Sequence, residues 1–485
     1  MKQYLTAFHN KGRNRQLELI ELLLKHPDME NGQLAKVLYK DQKAKAFIML
    51  KKRLLERMYE SLTLSVNFSY NPSYLEDPAA FESIKLYKQL EYAQVLRQKG
   101  LYDLAEEVLE KCIQQAKSSS MPEFQLKALL LRRSMSNGNN QERQTLTDEI
   151  QQTLAQYVAD LKVVGKYEEY RTILSTEDPM SDILEESLRS YVNDFSNTEL
   201  EDLSPRGTFF HLSLKSLHSL ESGNTPQARI DLNALIHFLE SHRGLQTQHR
   251  MAIPHIQLAN LELTCGRFFD ARQAASKALA LVAPTRTNHL TAGIHELHSL
   301  IFLNRLDDAE ELMLYLKALE STSLMPDKSD MLVYLCCCIW FLKGEPEQAR
   351  REFLQISHLY QYKAGWNLDL RILEIMILID CERIDQVFMK LDSMRKHVNR
   401  YGTRERPIRM FKFLQQLART GFELDLENPS FQESLVWLQN QPEWQYYPSE
   451  VIRYDCWIQS KSEQRPLAPL QHQTLQTWFE NHPVE

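Results

Sequence analysis

Among residues able to do chemistry, His295 and His298 stand at i and i+3, a spacing that sets two imidazoles on one helix face and can ligate a metal ion. No third ligand is spaced to join them, so the pair predicts no metal centre. Seven cysteines occur, at positions 112, 265, 336, 337, 338, 381 and 456, and none forms a Cys-x-x-Cys pair. The run Cys336–Cys338 lies in the apolar stretch Leu332–Leu342, which reads as free buried thiols in a reducing cytoplasm. The acidic run Asp307-Asp308-Ala-Glu310-Glu311 falls at a helix start, where carboxylates suit the helix dipole. The chain holds no Gly-x-Ser-x-Gly, His-Glu-x-x-His, phosphate loop or dinucleotide fingerprint. The expectation is a chain without catalytic residues, metal or cofactor, and not an enzyme.

Charge is the next signal. Residues 1–60 hold 13 Lys/Arg and 7 Asp/Glu, a surplus of 6; with −7 for the whole chain, the remainder carries −13. Leu17, Ile20, Leu23 and Leu24 outline a first helix, which His26-Pro27-Asp28 breaks. Asn31 is placed to cap a short second helix through Leu34, Ala35 and Leu38. Ala46, Phe47, Leu50, Leu54 and Met58 then form the apolar stripe of a third helix. Its other face carries Lys43, Lys45, Lys51, Lys52, Arg53 and Arg57. Thr63-Leu-Ser-Val-Asn-Phe-Ser-Tyr70 reads as a short strand without a clear partner.

The elements that must position these residues are announced by a repeated pattern, a turn residue followed five positions later by alanine. It occurs at Gly100/Ala105, Gly223/Ala228, Gly266/Ala271, Asn304/Ala309 and Gly344/Ala349. The last four alanines are 43, 38 and 40 residues apart. A near-regular period in this range signals stacked helical units. In Met251–Pro284, Ile256, Ala259 and Leu263 precede Gly266, and Phe268, Ala271, Ala275 and Ala278 follow it, all at helical spacing. Two helices of about 14 residues joined by a tight glycine turn explain the pattern, with alanines allowing close approach.

This stretch resembles a tetratricopeptide repeat in Ala259, Gly266, Phe268, Ala271, Ala278 and Pro284. Residues 89–117, 212–239 and 330–358 resemble it also, the last through Trp340, Gly344, Ala349 and Phe353. Residues 292–319 and 371–397 depart from it, with Asn304 and Glu382 in place of the turn glycine and Val387 in place of the alanine. The period of 38–43 residues exceeds the 34 of that family. Between Ala105 and Ala228, two degenerate units are expected, turning at Gly138 and at Gly165-Lys-Tyr167.

The resemblance implies an all-α fold: an α-α superhelix, a right-handed solenoid of hairpins, with a small helical N-terminal module. It also implies a concave groove, lined by the first helix of each unit, that holds a protein or peptide partner. Candidate groove residues are Gln94, Arg97, His255, Asn260, Glu262, His295, His298 and Tyr334. The segment from Leu19 through Gly32-Gln-Leu-Ala-Lys36, with the basic helix after it, resembles a helix-turn-helix or winged-helix module. That resemblance implies lysines on DNA phosphates. The same residues also read as a helical cap with solvated lysines, and an acidic body repels DNA at a distance.

The expected organisation is a basic three-helix module over 1–65, a linker over 66–80, repeats over 81–425 and a Trp/Pro-rich cap over 426–485. Six of the 18 prolines and four of the six tryptophans lie beyond residue 428. The expected function is a non-enzymatic cytoplasmic scaffold that displays a groove to a protein or peptide. The alternative is a transcriptional regulator with a DNA-binding N-terminal module and a sensing body.

Overall fold

The computed structural model describes residues 15–40, 45–68, 78–136, 140–176, 203–284, 287–319, 326–357, 366–401, 404–424, 429–439 and 449–481. Among these residues every regular element is helical, with 21 α-helices and one 3-10 turn. The chain divides into two compact units, residues 1–91 and 92–485, and the boundary falls within a helix.

The first unit contains α1 (Arg15–Lys25), α2 (Asn31–Tyr39), α3 (Lys45–Phe68) and the larger part of α4 (Pro78–Gln98). Leu19 of α1, Leu34, Ala35 and Leu38 of α2, and Phe47, Leu50 and Leu54 of α3 close a small core. The N-cap of α2 is Glu30 rather than Asn31: its carboxylate accepts from the Gln33 amide while the Gln33 side chain accepts from the Glu30 N–H, a reciprocal capping box. The expected strand does not form over its described part. Thr63–Phe68 instead continues α3, because extending an existing helix costs less than starting a strand with no partner. Of the expected linker over 66–80, residues 66–68 belong to α3 and 78–80 to α4, and residues 69–77 lie outside the described residues.

In the second unit the helices run as antiparallel hairpins. After the end of α4 come α5 (Tyr102–Ser118), α6 (Pro122–Met135), α7 (Asn140–Thr176), α8 (Pro205–Glu221) and α9 (Thr225–Ser241). Then follow α10 (Gln248–Thr264), α11 (Phe268–Leu281), α12 (Thr287–Phe302), α13 (Leu306–Lys317), α14 (Pro326–Leu342) and α15 (Pro346–Phe353). The chain continues with α16 (Trp366–Asp380), α17 (Ile384–Tyr401), α18 (Glu405–Arg419), α19 (Pro429–Gln439), α20 (Tyr454–Glu463) and α21 (Leu467–Asn481). Helix α10 packs on both α11 and α12, α12 packs on α14, and α16 on α18, so each hairpin leans on the next.

The turns within the hairpins use one device. Gly100, Gly223, Gly266, Asn304, Gly344 and Glu382 all have positive φ, including the two positions where glycine is replaced. The residue after each closes a six-residue ring, as in Arg267 N–H to Glu262 O at 2.8 Å, Arg305 to Leu300 at 2.9 Å and Arg383 to Leu378 at 2.9 Å. That left-handed cap satisfies carbonyls the helix leaves open. Five residues after each turn, Ala105, Ala228, Ala271, Ala309, Ala349 and Val387 are wholly buried, where the paired helices meet.

Gly165 is not a turn. It lies inside α7, a helix of 37 residues, because Val163 and Tyr170 on either side of it pack with Leu203 and Leu214, and one interior glycine costs only about 1 kcal/mol. Gly138 lies outside the described residues.

The last segment folds back along the repeats. The Tyr334 hydroxyl on α14 donates to Ser449 O at 2.5 Å and accepts from Val451 N–H at 3.3 Å. Asp369 on α16 accepts from Arg404 at 2.6 Å, from the Tyr454 hydroxyl at 2.7 Å and from the Ser449 hydroxyl. Arg406 joins Glu450 at 2.6 Å and Asp455 at 3.0 Å. Helix α21 reaches α12, where His472 Nδ1 lies 3.2 Å from Phe302 O, and sets Leu475 and Phe479 against Leu263, Phe268 and Phe302.

Candidate binding cleft

A half-open cleft of about 200 Å³ lies where α7, α8 and α10 meet, and Leu235 of α9 also lines it. Helix α7 is held against the start of α8 by Asp160. This buried carboxylate accepts from the Ser204 N–H at 3.0 Å and from its hydroxyl, while Ser204 Oγ caps α8 by accepting from Gly207 N–H at 3.2 Å. Gly207 is required for this approach, since a Cβ there would stand 2.0 Å from Asp160 Oδ1. Burial pushes the Asp160 carboxyl above its ordinary range, and the Ser204 hydrogen bonds oppose that rise.

Helix α10 is capped by Thr247, whose hydroxyl accepts from Arg250 N–H at 3.1 Å. Arg250 then lies over the Phe209 ring at 5.3 Å, within cation–π range. Phe209 and Phe210 stand at 5.0 Å edge-on, and Phe210 meets Tyr167 of α7 at 5.0 Å. Ile253, Pro254 and Gln257 continue the α10 wall. Proline inside a helix has no N–H to donate, so the Arg250 carbonyl four residues earlier loses its helical partner.

The charge of the cleft is positive. Arg171, His249 and Arg250 line it, and no Asp or Glu does so among the described residues. Burial, with Arg171 and Arg250 nearby, lowers His249 below the usual imidazole range, which keeps it neutral at pH 7. Burial raises the Tyr167 phenol, against the pull of the same two arginines, so Tyr167 remains a neutral hydroxyl.

None of the eight residues expected to line a groove lines this cleft. Gln94, Arg97 and Asn260 are exposed. Glu262 is buried and receives a two-pronged pair from Arg229 at 2.6 and 3.0 Å, which ties α9 to α10. His298 is buried, with Nδ1 2.9 Å from Ile294 O, and Tyr334 is buried under Ser449. His255 is buried, with its Nδ1 enclosed and unpartnered, and burial lowers its pKa. His295 is half-buried with Nδ1 likewise enclosed; burial, then His298 and Lys328, lowers it to about 3. First helices of stacked hairpins are covered by their own partner and by the next hairpin, so many of their polar positions are internal. Among the described residues no group of three His, Cys, Asp or Glu is placed to hold a metal ion.

On α3, Lys45, Lys51, Lys52 and Arg53 are exposed and Arg57 is half-buried, while Lys43 lies outside the described residues. Lys51 Nζ donates to Asn31 Oδ1 at 2.9 Å. Ile48, Met49 and Leu55 are exposed on the same helix, so the lysines share it with apolar surface.

None of the cleft residues was expected from sequence as a binding residue, and Tyr167 was read only as part of a turn. The available signals were the Phe209-Phe210 pair, the His249-Arg250 pair after a helix cap, and Pro254 within a helical run. Among the described residues no helix is long and apolar enough to cross a membrane. No known family profile matches the chain, and no curated protein matches it. Its structure is similar to the crystal structure of a Rap protein complexed with competence and sporulation factor, at 10% identity and a TM-score of 0.48, covering 82% of this chain and 98% of that one. It is also similar to the crystal structure of the apo form of RapI, at 10% identity and a TM-score of 0.45, covering 82% of this chain and 99% of that one.

Proposed function

We propose that the chain is a non-enzymatic scaffold that binds a peptide or an extended protein segment in the cleft of α7, α8 and α10. The observation that carries this reading is the cleft itself, a preformed half-open space walled by Tyr167, Phe209, Phe210 and Ile253 beside two arginines. Aromatic walls with a few convergent polar groups suit side-chain capture. The mechanism is display: stacked hairpins hold the wall residues rigid, and binding needs no covalent step. Seven free cysteines fit a reducing compartment such as the cytoplasm.

The test is selection of a phage-displayed random peptide library on the full chain, followed by measured affinities for the enriched peptides. Binding that is lost in Phe210→Ala and Ile253→Asp supports the reading. Enriched peptides that bind both variants as well as the parent would overturn it.

A second reading, DNA binding by the first unit, is favoured by one observation. Helices α1 to α3 share their own core and leave Lys45, Lys51, Lys52 and Arg53 exposed on α3. An affinity for duplex DNA that falls steeply with salt and vanishes on Lys51, Lys52 and Arg53→Ala supports it. Unchanged DNA mobility at low salt excludes it.

A further inference from the structure

We infer that the cleft of α7, α8 and α10 recognises a carboxylate next to an apolar side chain of a peptide, with Arg171, Arg250 and the Tyr167 hydroxyl receiving the carboxylate and Phe209 and Phe210 receiving the apolar group. This rests on the scaffold reading and names its ligand chemistry.

Charge complementarity carries the assignment. Beyond residue 60 the chain carries −13, yet this cleft is lined by two arginines and a histidine with no acidic side chain among the described residues. A cationic concavity inside an acidic body focuses anions and repels cations. Geometry adds direction. The Arg250 guanidinium is seated over Phe209 at 5.3 Å, and Tyr167 meets Phe210 at 5.0 Å, so the cationic and aromatic walls are contiguous. One ligand residue can therefore reach both. Arginine is suited to this role because its planar fork matches the two oxygens of a carboxylate. The Tyr167 phenol and the neutral His249 ring supply uncharged hydrogen-bonding groups at the same place. The first turn of α10, which carries His249 and Arg250, also brings the positive end of its dipole to this wall. The cleft volume of about 200 Å³ matches one or two residues, so the site reads a short feature of a longer ligand.

Two peptide sources present this chemistry, a C-terminal carboxylate and an Asp or Glu side chain. The test uses the full chain and three defined probes: N-acetyl-phenylalanine, its uncharged amide, and N-acetyl-aspartyl-phenylalaninamide. Saturation-transfer NMR with titration is expected to show one or both acids binding about ten-fold more tightly than the amide. The advantage is expected to shrink as salt is added. The stronger acid identifies the source. Arg171→Gln and Arg250→Gln are expected to reduce the acid to the level of the amide, with far-UV circular dichroism confirming the fold. The acid-against-amide comparison on the unmodified chain decides the matter even if a variant fails to fold. Equal binding of acid and amide, or displacement by inorganic phosphate with no carboxylate binding, would overturn the inference. If library peptides still bind the cleft without preference for acids, only the carboxylate assignment fails. If no peptide binds, the scaffold reading fails with it.

Discussion

Gly266→Ala and Gly223→Ala form a matched pair that isolates the packing of α21 on the repeats. Both glycines are left-handed, with φ of +71° and +69°. Alanine in that region costs about 1–2 kcal/mol, and the change in unfolded-chain entropy is common to both sites. Their surroundings differ. Nothing lies within 4 Å of a Cβ at Gly223, whereas a Cβ at Gly266 would stand 1.9 Å from Phe479 Cζ and 2.1 Å from Cε1. The Phe479 ring must swing aside, giving up its edge contacts with Phe268 at 5.6 Å and Trp478 at 4.9 Å. Overpacking of this kind costs about 1–3 kcal/mol more. Gly266→Ala is therefore expected to cost about 2–5 kcal/mol against about 1–2 for Gly223→Ala. In a Phe479→Ala background the two should converge. The assay is urea unfolding at 25 °C followed by circular dichroism, with native-state hydrogen exchange over α21 to localise the loss. Equal costs at the two glycines, within about 0.3 kcal/mol, would refute the seating of α21 on this turn.

Other substitutions test separate parts of the fold. His295 is lowered to about 3 from an unfolded value of 6.5, so the unfolded chain takes up its proton first as the pH falls. The contribution of neutral His295 is then complete above pH 6.5 and lost between about 6.5 and 3; His295→Gln should flatten that limb of the stability curve by up to about 1.4 kcal/mol per pH unit, and parallel curves would refute it. Arg229→Ala leaves the buried Glu262 carboxylate with only the longer contact to Arg267 at 4.0 Å and is expected to destabilise by up to about 3–5 kcal/mol, with Arg229→Met combined with Glu262→Leu recovering most of the loss in denaturant titrations. Tyr334→Phe leaves Ser449 O and Val451 N–H without their buried partner, for a loss of about 1–3 kcal/mol and faster exchange of the Val451 amide. Burial pushes the Cys336 thiol up to about 12 and raises Cys337 and Cys338 as well, so a thiol reagent at pH 8 should leave all three unlabelled until denaturant is added.

The repeats were legible because their signals are local. A turn residue and a small residue five positions on obey backbone geometry and close packing within one hairpin, so Gly266 and Ala271 can be read without knowing any neighbour. Asn304 and Glu382 fit the same frame even without glycine, because the surrounding helix periodicity survives the substitution. Helices α1 to α3 were readable for the same reason, with Leu19, Leu34, Phe47 and Leu54 meeting in one core. Where periodicity misled, it did so through length. Gly165 has a helical pattern on both sides, and only tertiary packing decides that α7 runs through it.

The candidate site was not legible, because its walls come from helices far apart in sequence. Tyr167 and Arg250 are 83 positions apart, and the chain carries no local sign that α7 and α10 converge. The buried fate of Glu262, His298 and Tyr334 was hidden likewise, since their partners Arg229 and Ser449 lie on other hairpins or in the returning C-terminal segment, and the His298 ring closes on its own helix inside the stack. Sequence alone determined the hairpins, their turns and the small residues on which they touch, all properties of neighbouring residues. Tertiary structure decided which polar side chains became internal ties and which ones surround an open cleft. The physical reason is that burial and charge depend on what the stacked neighbours cover.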